Sequence, residues 1–79
     1  MTTDELIAQI EAGVEDTLAD NPEVGRDDAA HDIAVNLISM YASEEPEACA
    51  VVARCYLGWD PEGDADLYAE HRLDPSLAN

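Results

Sequence analysis

The stretch DDAAHDIAVNLISMYA, residues 27–42, decides the fold. Its apolar residues Ala30, Ile33, Ala34, Leu37, Ile38 and Tyr41 recur at spacings of three and four, as on a helix with one buried face. No glycine or proline interrupts it. Asp27 and Asp28 stand at the positive end of the helix dipole, and Asn36 and Ser39 are left for the wet side. The spacing predicts a central helix whose apolar residues are the most buried set of the molecule, so that replacing Leu37 with alanine costs about 2 to 5 kcal/mol.

Working outward toward the N-terminus, residues 3–20 read as a second helix. Thr2 and Glu5 have capping-box spacing, with Thr3 as the alternative cap, and Ile7, Ile10, Val14 and Leu18 form the inward stripe with Leu6 at its edge. Gly13 weakens this helix by about 1 kcal/mol relative to alanine, a cost that suits close approach of another helix. Asn21-Pro22 ends it, and residues 23–26 form a loop.

In the other direction, Ser43-Glu44-Glu45-Pro46 combines a capping serine, acids at a helix start and a proline that the first turn tolerates. Residues 46–57 are the most apolar stretch, with Ala48, Val51, Val52, Cys55 and Tyr56 inward and Gly58 as the stop. Residues 59–63 make a turn-rich bend. Asp64 then opens a short fourth helix, residues 64–72, that carries Leu67, Tyr68 and His71 toward the core. Asp74-Pro75 ends this helix, and the last residues are expected to fray. Trp59, between a helix stop and a proline turn, can fold back as a lid over the helix ends, and the alternative is a contact residue for a partner. The expectation is one all-α domain over residues 1–79, a bundle of three main helices plus a short C-terminal one.

Composition fits this reading. Seventy-nine residues, 47% of them hydrophobic, suffice for one core, and the 5% aromatic content without phenylalanine makes that core aliphatic and alanine-rich. Nineteen acids stand against three arginines and no lysine, a formal charge of −16. Cys49 and Cys55 lie six apart, which turns them about 240° from each other on a helix, so both read as small buried hydrophobes that do not pair. With no apolar run long enough for a membrane span, no leader pattern and no disulfide framework, the expected location is a reducing cytoplasm, that of the host if the chain is phage-encoded.

Most chemical sites fail on residue type. Asp60, Glu62, Asp64 and Asp66 alternate as in a calcium loop, but Ala65 replaces the glycine at position six and His71 the glutamate at position twelve. His31 and His71 lack ligands at metal-binding spacing, no nucleophile elbow occurs, and Cys49 has no basic neighbour to activate it. The sequence therefore implies no enzyme, cofactor or metal. An acidic surface also repels nucleic acid, phosphates and anionic lipid, which excludes direct nucleic-acid and membrane binding.

What remains is the acid pattern. On the expected helices Glu11 and Glu15, Asp16 and Asp20, Asp28 and Asp32, and Asp66 and Glu70 are like-charge pairs at i,i+4, with no arginine at i,i+3 or i,i+4. Each is unfavourable by about 0.2 to 0.5 kcal/mol, a placement that stability alone does not explain. One explanation is adaptation to high internal salt. The other is a surface for a basic partner. Duplex DNA carries one charge per ~1.7 Å, so sixteen charges match about 27 Å of duplex, close to the ~30 Å expected across the domain. Small, acidic, helical character of this kind is shared by phage inhibitors that occupy the nucleic-acid channel of a restriction, CRISPR or transcription protein. The expected function is thus an inhibitor or interaction module that mimics nucleic acid on the basic surface of a partner. The expected contact residues are Glu11, Glu15, Asp16, Asp20, Asp60, Glu62, Asp64, Asp66 and Glu70. A halophile domain and an adaptor or dimerisation module are the alternatives.

Overall fold

In the computed structural model, which describes residues 2–78, helices run over Thr3–Asp20 (α1), Arg26–Tyr41 (α2), Pro46–Leu57 (α3) and Ala65–Glu70 (α4). A 3-10 turn at Pro75–Ala78 follows, and no strand occurs among the described residues. The chain is a small all-α bundle of three main helices with a short helix and turn at its C-terminal end. α1 and α3 have the expected bounds, α2 begins and ends one residue earlier, and α4 is shorter.

Local chemistry sets these ends. Thr2 and Glu5 form the capping box: the Glu5 N–H donates to Thr2 Oγ1 at 3.2 Å, and the Thr2 N–H donates to Glu5 Oε1 at 3.3 Å. Ser43 does not cap α3 as expected. Glu45 occupies the cap position without a side-chain capping bond, and Pro46 at the first helical position removes one of the N–H groups that a cap would serve. Gly58, at φ +69°, takes the left-handed turn that stops α3. α4 ends in a Schellman turn, in which Leu73 N–H donates to Tyr68 O at 2.8 Å and Arg72 N–H to Ala69 O at 3.0 Å. Arg72 therefore holds φ +61°, a conformation that favours glycine.

α1 packs on α2 and α3, α2 packs on α3, and the 3-10 turn also packs on α3. This arrangement corrects the expected centre of the core. α3 is the most buried helix, contributing Ala48, Cys49, Ala50, Val52 and Ala53, because three elements close on it. α2 packs chiefly on α1 and α3 and buries Ala29, Ala34 and Ile38. Its Ala30, Ile33, Leu37 and Tyr41 are half-buried at the core's edge. Within α1 Ile10 and Val14 are buried as expected, but Leu6, expected at the edge, is fully buried, and Ile7 and Leu18 are half-buried. Within α3 the small residues face inward from two sides, which leaves Val51 and Tyr56 half-buried and Cys55 exposed, contrary to its expected burial. Leu67 is likewise only half-buried, whereas Tyr68 is fully covered.

Gly13 has the role its position suggested. A Cβ there would lie 2.9 Å from Ile33 Cδ1, so α1 and α2 pass close at this glycine, and a side chain would have to push the end of Ile33 aside. The C-terminal turn is packed, not frayed: Ala78 is fully buried, and Asp74 Oδ1 accepts bonds from Ser76 N–H at 2.9 Å and Ser76 Oγ at 2.8 Å. Those bonds hold the Asp74 carboxyl below its ordinary range. Trp59 lies half-buried against the core, edge-on to Tyr68 with ring centroids 5.9 Å apart and tilted over His71 at 4.8 Å, as a lid would. The Tyr68 hydroxyl donates to the Trp59 carbonyl at 2.7 Å.

Candidate partner-binding surface

No charged side chain is buried among the described residues, so the acids form the outside of the molecule. Eight of the nine acids read from the sequence as contact residues are exposed, and Asp64 is half-buried. Their surroundings divide them into three groups.

Glu11 and Glu15 are not the uncompensated pair that helix spacing implied. Arg26, at the start of α2, donates from Nη2 to Glu11 Oε2 at 3.1 Å and from Nη1 to Glu15 Oε1 at 2.9 Å. Tyr56 of α3 donates its hydroxyl to Glu11 Oε1 at 2.9 Å. One forked guanidinium thus bridges two carboxylates that would otherwise repel, and with Tyr56 it ties all three main helices together. The bond and charge of Glu15, then those of Glu11, raise the Arg26 pKa. Burial, and next the bond to Glu11, raise that of Tyr56. Sequence spacing missed the clamp because Arg26 lies eleven and fifteen residues from its partners and meets them only when α2 folds back on α1.

Asp60 and Asp64 are turn-makers. The Glu62 N–H donates to Asp60 Oδ1 at 3.1 Å and the Asp60 N–H to Asp64 Oδ2 at 2.9 Å, so both carboxylates face the backbone of the bend before α4. The alternation that resembled a calcium loop shapes this bend. No group of three or more His, Cys, Asp or Glu among the described residues is placed to hold a metal ion.

Asp16, Asp20, Glu62, Asp66 and Glu70 project into solvent without an ion pair among the described residues. They come from separate elements. Asp16 and Asp20 belong to α1, which packs on α2 and α3. Asp66 and Glu70 belong to α4, which packs on the C-terminal turn.

Among the clefts that interrupt the acidic surface, two are lined by residues of several elements. The larger, about 340 Å³, lies between the three main helices and is lined by Val14, Ala30, Cys55 and Tyr56 with Glu11, Arg26 and Asp27. The smaller, about 190 Å³, lies where Glu70, His71 and Arg72 stand over Ser39, Ala42 and Ser43. The molecule measures 36 × 25 × 18 Å, so sixteen charges over 36 Å leave about 2.3 Å each. That is sparser than the ~1.7 Å per charge of duplex DNA. No helix among the described residues is long and apolar enough to cross a membrane. Comparison of the chain with protein-family models, with curated proteins and with solved structures returned no match.

Proposed function

We propose that the chain is an interaction module that inhibits or occupies a basic, nucleic-acid-binding surface of a partner protein through its acidic exterior. The observation that carries this reading is the residue of acid left after local roles are assigned. Arg26 neutralises part of the Glu11 and Glu15 pair, Asp60 and Asp64 serve a turn, and yet Asp16 with Asp20, Asp28 with Asp32, and Asp66 with Glu70 keep like charges one helical turn apart. Asp28 and Asp66 suit the first turns of α2 and α4, but within each pair the second acid repels the first across one helical turn. A basic surface would turn that repulsion into attraction and would steer association. The spread of such pairs over α1, α2 and α4 also favours a second reading, in which the acidity answers a saline environment.

A low-salt pull-down from host lysate, eluted with rising salt and followed by identification of the retained protein, tests the proposal. The expected captive is a protein with a basic channel. Paired variants complete the test: neutralising Asp16 and Asp20, or Asp66 and Glu70, to Asn or Gln should raise the melting temperature while weakening binding to that captive. If both variants bind unchanged, the electrostatic reading fails. Unfolding of the native chain in low salt would instead support the saline reading.

A further inference from the structure

The cleft between α1, α2 and α3 has a mixed lining that the acidic exterior does not explain. Its floor is apolar, with buried Val14, half-buried Ala30 and the ring of Tyr56, and its rim is charged. Both oxygens of Glu11 are occupied, one by Tyr56 and one by Arg26, and Arg26 in turn is shared with Glu15. Asp27 is therefore the rim carboxylate that carries no hydrogen bond or ion pair among the described residues. Two carboxylates, Glu11 and Asp27, against one guanidinium leave the lining with about one negative charge, and that guanidinium is already shared between Glu11 and Glu15, so the cleft favours a cation over an anion. At about 340 Å³ the cleft stands at the small end of the range of ~300 to 1,000 Å³ for ligand sites, which suits one side chain better than a whole ligand.

We propose that this cleft seats one arginine or lysine side chain of the basic partner, its aliphatic stem over Val14, Ala30 and Tyr56 and its cationic head at Asp27. The proposal rests on the reading of the chain as a binder of basic surfaces, and it adds to that diffuse attraction a fixed anchor point. Amphipathic side chains of this kind bury their stems while keeping the charge at a polar rim, and arginine is among the residues that dominate interfaces when seated in a pocket.

Cys55 gives the experiment its readout, because it lines the cleft and is exposed, whereas Cys49 is buried with its thiol pushed up to about 11. An acetylated hexa-arginine peptide is added at one equivalent in low salt, with both at about a hundred times its dissociation constant. The rate of Cys55 alkylation by iodoacetamide is followed beside peptide affinity by fluorescence polarisation. The expected result is roughly tenfold protection of Cys55, a loss of about tenfold in affinity in Asp27→Asn, and a change within about twofold in Glu44→Gln, an exposed acid outside both the cleft and the contact candidates. Binding of the peptide with Cys55 alkylated at the free rate, or equal losses in the two variants, overturns the cleft proposal and leaves the binding of basic surfaces standing. Failure of the peptide to bind at all overturns both.

Discussion

Leu37 and Ile38 are neighbours in α2 with different surroundings, since Ile38 is fully covered and Leu37 lies half-buried at the core's edge. Ile38→Ala should cost about 2 to 5 kcal/mol in denaturant unfolding, and Leu37→Ala at least ~1 kcal/mol less. Equal losses would contradict the order of burial. Tyr56 sets a pH dependence. Its neutral hydroxyl donates to Glu11, and loss of the proton would bring two negative oxygens together, so its folded pKa lies above the ordinary 10. A folded pKa raised above the unfolded one contributes stability that is complete below about pH 10 and is lost as pH rises through the folded value. Melting temperatures taken from pH 8 to 12 should therefore fall on the alkaline side, and less steeply in Tyr56→Phe. Tyr68, also raised, first by burial, keeps part of the slope in that variant.

At the scale of elements, the forked bond of Arg26 makes two neighbouring turns of α1 respond oppositely to loss of charge. Glu11→Gln removes an acceptor shared by α2 and α3 and should lower the melting temperature. Asp16→Asn relieves repulsion with Asp20 and should raise it. Thermal melts of the two variants in the same low-salt buffer check this, and a rise in both would show that the clamp contributes nothing. The same contrast explains what the sequence disclosed. Period, proline and glycine placed the four helices and Gly13, because those signals act within one element. Which helix lies at the centre depends on how many others pack on it, and no period within α2 or α3 records that number. Cys55 and Leu6 were misplaced for this reason. Among the contact candidates, Asp16, Asp20, Glu62, Asp66 and Glu70 are the free acids that composition suggested. The roles of Glu11, Glu15, Asp60 and Asp64 arise from hydrogen bonds that helical spacing does not encode.

For the whole molecule, a formal charge of −16 within 36 × 25 × 18 Å makes ionic strength the main external variable. Raising sodium chloride from about 0.01 to 1 M shortens the screening length from ~30 to ~3 Å, so the melting temperature should climb while affinity for a basic partner falls. Calorimetry and binding titrations over one salt series measure both, and a melting temperature that does not respond to salt would show that self-repulsion is negligible in the folded chain. Across such a series the molecule carries its own optical gauge. Trp59 is the sole tryptophan, and its ring rests on the imidazole of His71 and the edge of Tyr68 at the far side of the α4 segment. Emission from one indole thus monitors the seating of α4 on the bundle without any label. A change in that emission while the far-ultraviolet dichroism of the helices stays constant separates release of the α4 segment from unfolding of the bundle within a single cuvette.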